Sequence, residues 1–196
     1  SINSEAGTNL VFSIDALSHD SYIGVPKGEG DLAIWPTGYL NFSADAAGLE
    51  GEIVLMPGDI VNDALHLVKS PVVLQIRGGN IIEIVGESSD ANLLKAQLES
   101  FADREHAYML KGFSIGLLYF RGDYFSGPFD PEKVNAIDTT LRGGWTTLNF
   151  GNDIANSLSV TLTSPNLLLD NVEIFLNGDF AATMEPDIYE LALMGL

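Results

Sequence analysis

The chain has 196 residues, 46% of them apolar, with no cysteine, three histidines and a net charge of −18 from 27 acidic and nine basic side chains. That length suits one domain, residues 1–196, with enough apolar material for a core. The missing cysteines exclude disulfides and thiolate metal sites, and the acidic balance makes nucleic acid and anionic membranes poor partners.

No apolar run approaches the ~20 residues of a membrane span. Ser1-Ile2-Asn3-Ser4-Glu5 lacks the basic start and apolar stretch of a signal peptide. A cytoplasmic protein is the expectation.

Most segments read as strands. Leu10 to Ile14 is a short apolar run. Glu52 to Met56 is another, closed by the turn signal Pro57-Gly58-Asp59. Val72 to Arg77 and Ile81 to Gly86 flank Gly78-Gly79-Asn80, the pattern of a β-hairpin. A helix follows: Ser89-Asp90 can cap it, and Leu94, Leu98, Phe101 and Ala102 make one apolar stripe. Gly122 to Gly144 reads as a long loop. From Ser157 to Thr163, Leu158, Val160 and Leu162 alternate with hydroxyl residues, predicting a strand with one wet face. Val172 to Leu176 ends in Asn177-Gly178, a tight-turn pair. Pro186 to Leu196 suggests a short terminal helix. The expected fold is mainly β (α+β), an antiparallel or mixed β domain with one or two packed helices.

Charge is uneven along the chain. Residues 1–60 carry −8, residues 61–150 carry −3 and residues 151–196 carry −7.

Local chemistry is sparse. His19, His66 and His106 stand near no nucleophile pattern, and His66, between Leu65 and Leu67, is expected on a polar strand face. Asp123, Asp130 and Asp138 do not have the spacing of a calcium loop. Arg77-Gly78-Gly79 and Arg142-Gly143-Gly144 read as turns, not phosphate cradles. The aromatics are more informative. Trp35 and Tyr39 fall in Trp35-Pro36-Thr37-Gly38-Tyr39, read as a loop. Arg121 and Tyr124 fall in Phe120-Arg121-Gly122-Asp123-Tyr124-Phe125, and Trp145 follows Arg142-Gly143-Gly144. Aromatics with arginine are the groups that dominate binding surfaces, so Trp35, Tyr39, Arg121, Tyr124, Arg142 and Trp145 are the candidate ligand-contacting residues.

The order of the pieces resembles the C-terminal domain of aminopeptidase T type metallo-aminopeptidases and of their relative, the iron-dependent dihydroxypyridine ring-cleaving dioxygenase. Trp35-Pro36-Thr37-Gly38 is similar to the dioxygenase's Trp-Pro-Ser-Gly. Gly51 to Ile60, the Ser70 to Gly86 hairpin, Asn92 to Leu98, Ser114-Ile115-Gly116-Leu117 and Leu176-Asn177-Gly178 follow in the family's order. The resemblance implies that the family's metal ligands would fall on Tyr39, near Gly112, near Thr147 and around Thr161 and Thr163. None of these is a histidine or a carboxylate.

The resemblance therefore implies the scaffold without the metal. No catalytic residue, no metal and no cofactor is expected. The leading expectation is a non-catalytic peptide-binding pseudoenzyme in natural product biosynthesis. It would hold the precursor or leader segment of a ribosomally made, modified peptide and present it to modifying enzymes, by strand addition at an open edge. The alternatives are a metal-dependent hydrolase or oxygenase with relocated ligands, and a regulatory subunit completing a partner enzyme. Because family members pair through this domain, a homodimer is expected.

Overall fold

The computed structural model describes residues 1–11, 19–22, 28–30, 38–43, 48–61, 66–101, 104–118, 142–151 and 157–184. The described strands, in chain order, are β1 (Ile2–Asn3), β2 (Asn9–Val11), β3 (His19–Tyr22), β4 (Tyr39–Ser43), β5 (Glu50–Leu55), β6 (Ile60–Val61), β7 (His66–Leu67), β8 (Val72–Arg77) and β9 (Asn80–Val85). Two helices follow, α1 (Ser89–Ser100) and α2 (Arg104–Ala107). The remaining strands are β10 (Leu110–Gly116), β11 (Thr146–Gly151), β12 (Ser157–Leu162), β13 (Asn166–Leu169), β14 (Val172–Leu176) and β15 (Asp179–Phe180).

The strands form two antiparallel sheets. One has eight strands in the order β15-β14-β13-β1-β2-β5-β8-β9, and the other has seven in the order β3-β4-β10-β11-β12-β6-β7. This is the mainly-β fold with few helices that the patterning predicts. Alternation along each strand sends one set of side chains into a common core. Ile53, Leu55, Leu74 and Phe175 from the larger sheet and Phe113, Leu148, Phe150 and Val160 from the smaller one join a single buried apolar cluster. Each fully buried side chain of this size contributes on the order of 2 kcal/mol.

The hairpin follows its turn residues. Gly78 and Gly79 take φ of 54° and 73°, which lets two residues join β8 to β9. Asn177 and Gly178, at 51° and 80°, do the same for β14 and β15. Helix α1 buries Ala91, Leu94 and Leu98, with Phe101 as its C-cap. Its N-cap is Ser88, one residue before the expected Ser89-Asp90, and the Ser88 hydroxyl accepts the Ala91 N–H at 3.2 Å. Asp90 is thereby freed for another role.

The run from Leu10 begins in strand Asn9–Val11, and its residues 12–14 lie outside the described residues. Two expectations need correction. Tyr39 opens strand β4 instead of lying in a loop. The hydroxyl face of β12 is not wet throughout: Thr161 is only 3% exposed, while Ser157 and Ser159 are half-buried. Ala102, most of the Gly122–Gly144 loop with Asp123, Asp130 and Asp138, and the expected terminal helix lie outside the described residues.

Candidate functional site

The seven-stranded sheet has two faces of opposite character. Phe42, Phe113, Ile115, Leu148, Phe150, Leu158 and Val160 point into the core. The residues between them make a polar face. Cross-strand pairing fixes its central row: Asn41 opposes Ser114, Ser114 opposes Thr147, and Thr147 opposes Thr161. Directly opposed residues share a face, so one row of amide and hydroxyl side chains crosses β4, β10, β11 and β12. Asp20 of the edge strand β3 extends the row, opposite Asn41.

The row is hydrogen-bonded within itself. The Thr147 and Thr161 hydroxyls lie 2.9 Å apart. The Ser114 hydroxyl donates to Asn41 Oδ1 and accepts from Asn149 Nδ2 at 3.4 Å. Ser114, Thr147 and Thr161 are 3%, 6% and 3% exposed, whereas Asn41 and Asn149 are half-buried. Buried polar groups need partners, and the row supplies them without a charge.

The positions that the resemblance marks for metal ligands share this face. Tyr39 and Gly112 alternate on the face with Asn41 and Ser114, and Thr147 and Thr161 are direct neighbours. Thr163 lies just beyond β12, and both its N–H and its hydroxyl donate to Asp59 Oδ1, at 2.8 and 3.0 Å. The donors on offer are thus a phenol, a glycine without a side chain and three neutral hydroxyls. Divalent iron or zinc calls for imidazole or carboxylate ligands. Among the described residues, no group of three His, Asp or Glu side chains is placed to hold a metal ion. These residues do not fit a divalent metal.

Of the six candidate contact residues, the structure unites two. The Arg142 guanidinium lies over the Trp145 ring, 4.7 Å from its centroid. They line a pocket of about 210 Å³ with Leu118, Thr163, Asn177 and Asp179. Glycines make the close approach possible: a Cβ on Gly144 would lie 1.8 Å from the Gly178 carbonyl oxygen. Tyr39 opposes Gly116, whose N–H bonds the Trp145 carbonyl, so β10 separates the two rings. Trp35, Arg121 and Tyr124 lie outside the described residues.

Two buried carboxylates also emerge that sequence reasoning passed over. Asp59 accepts the Met56 N–H at 2.8 Å besides the Thr163 donors. Burial pushes its carboxyl above the ordinary value, and these hydrogen bonds only partly offset that. Asp90 is 2% exposed and accepts from His66 Nε2 at 2.7 Å and from the N–H groups of Lys69 and Ser70 at 3.1 and 2.8 Å. Burial would raise its pKa. The His66 hydrogen bond, the two backbone N–H groups and the His66 charge outweigh it, so the carboxyl sits below its ordinary value. His66, expected on the polar face of a strand, lies half-buried in β7 and staples it to the start of α1. His106 is half-buried in α2, and His19 opens β3.

The comparisons agree with this architecture. The structure is similar to that of a 2,5-dihydroxypyridine dioxygenase from Pseudomonas putida KT2440, with a TM-score of 0.72 and 21% identity over 92% of this chain and 54% of that one. The chain therefore spans about half the length of that protein. The profile of the NicX family, 2,5-dihydroxypyridine 5,6-dioxygenase, matches residues 1–124, and the chain belongs to this family. No curated protein matches the chain. An aminopeptidase T relationship is not shown. Membership in this family counts against two expectations: that the chain is not an enzyme, and that it is a peptide-binding pseudoenzyme of peptide maturation. The lineage is that of an oxygenase-related enzyme family.

Among the described residues, no helix is long and apolar enough to cross a membrane.

Proposed function

We propose that this chain is an oxygenase-related protein whose polar sheet face receives a small hydroxylated aromatic ring, of the dihydroxypyridine kind named for its family. The observation that carries the reading is the uncharged row Asn41–Ser114–Thr147–Thr161 on adjacent strands, in which Thr147 and Thr161 fall at positions that the resemblance associates with the family's centre and Asn41 and Ser114 share the face with Tyr39 and Gly112. Ring hydroxyls and a ring nitrogen are met by amide and hydroxyl partners, which orient a ligand by hydrogen bonds. The described residues do not fit a metal, so the part assigned to them is binding and orientation.

Calorimetric titration of the full chain with 2,5-dihydroxypyridine, with and without ferrous ion and with oxygen uptake followed in parallel, tests the reading. Saturable binding of the ring supports it. No heat up to millimolar ring and no oxygen uptake in either condition would overturn it.

A further inference from the structure

We propose that Asn41 and Asn149, coupled through Ser114, are the specificity-determining residues of this face: one presents a hydrogen-bond donor and the other an acceptor to opposite ends of a neutral ring. The proposal rests on the ring-binding reading above and deepens it.

The coupling follows from the count of protons on Ser114. A hydroxyl has one proton to give and lone pairs to receive. Ser114 donates to Asn41 Oδ1 and accepts from Asn149 Nδ2. Ser114 is 3% exposed, so water does not readily replace either neighbour. The chain of bonds has one direction, from Asn149 through Ser114 to Asn41. As arranged in the structure, the Asn41 NH2 is left to offer both its hydrogens, and Asn149 keeps its carbonyl oxygen beside one remaining N–H. Neither side chain makes another hydrogen bond among the described residues, and both are half-buried.

Charge narrows the ligand class. The row from Asn41 to Thr161 holds no ionisable side chain, and the group next to Asn41 across the strands is the Asp20 carboxylate. An anionic oxygen at that end would meet like charge. The chemistry matched is a flat, neutral ring with an acceptor oxygen toward Asn41 and an O–H or N–H toward Asn149. A ring carrying a carboxylate is disfavoured.

The test is calorimetry on the full chain with 2,5-dihydroxypyridine, 3-hydroxypyridine and a pyridine carboxylate. Asn41→Leu and Asn149→Leu should each weaken the dihydroxy ring about tenfold, because a site built to hydrogen-bond a hydroxyl suffers when one partner is lost. The single-hydroxyl ring should respond to one of the two variants only. The carboxylate ring should bind wild type at least about tenfold more weakly than the dihydroxy ring. Ser114→Ala, a positioning change, should weaken the dihydroxy ring about threefold, with both amide ends losing their selectivity together. Asn41→Asp, nearly the same shape, stands in should the Leu variant fail to fold, and the same loss is expected. Binding of the dihydroxy ring to wild type with all Asn variants within twofold would overturn this inference and leave the ring-binding reading intact. No binding to wild type would overturn both.

Discussion

The hydroxyls of Thr147 and Thr161 lie 2.9 Å apart across β11 and β12, buried on the polar face of the seven-stranded sheet. Each satisfies the other, so the pair should be more than the sum of its parts. Thr147→Val or Thr161→Val alone strands a buried hydroxyl and should cost about 1–2 kcal/mol. The double variant removes both groups and should cost less than the two losses added. Urea unfolding of the four proteins in a cycle measures the coupling.

Thr146, one residue earlier, makes the opposite case. Its side chain faces the core, opposite Ile115 and Leu162, and its hydroxyl is fully buried with no hydrogen-bond partner. Thr146→Val keeps the shape and removes the orphan. It should stabilise the fold by about 1 kcal/mol, seen as a higher denaturation midpoint with an unchanged slope.

Asp90 sets part of the acid limb of stability. Its folded pKa is lowered, so it stabilises the fold above the ordinary carboxylate value, and that contribution is lost as pH falls through the folded value. Asp90→Ala breaks three hydrogen bonds to a buried carboxylate and should cost about 3 kcal/mol at neutral pH. The gap to wild type should shrink toward acid. Asp59 has the reverse sign. Its raised pKa gives a contribution that is full below the ordinary value and lost as pH rises through the folded one. Thermal melts of wild type, Asp90→Ala and Asp59→Asn across acid to neutral pH separate the two slopes.

Gly112 marks where β4 and β10 must touch. A Cβ there would lie 2.1 Å from the Phe42 carbonyl oxygen. Gly112→Ala has to push the strands apart and should cost about 2–4 kcal/mol, against a few tenths for Gly48→Ala, where nothing lies within 4 Å. Chemical denaturation of both variants checks the contrast.

The sequence made some of this plain and hid the rest for physical reasons. The Gly78-Gly79 hairpin, the Asn177-Gly178 turn and the Leu94–Leu98 stripe are legible because turn chemistry and periodicity are local. The alternation in β12 also shows, but a hydroxyl face reads the same whether it meets water or protein. Thr161, expected to be wet, is therefore found buried. Asn41, Ser114 and Asn149 lie 73 and 35 residues apart in pairs, so no local pattern could join them. His66 and Asp90 meet for the same non-local reason. The resemblance does place Tyr39, Gly112, Thr147 and Thr161 as a group, and the sheet puts them on one face. Their weak metal donors suggest a chain that is not an enzyme, and the match to an oxygenase-related enzyme family counts against that step.

The most direct measurement of the ring-binding account is a titration of the labelled chain with 2,5-dihydroxypyridine, read on the side-chain amide NH2 resonances. The account predicts saturable shifts at Asn41 and Asn149, with little change at asparagines remote from the face such as Asn3 and Asn166. Shifts confined to remote asparagines, or no shift at millimolar ring, would contradict it.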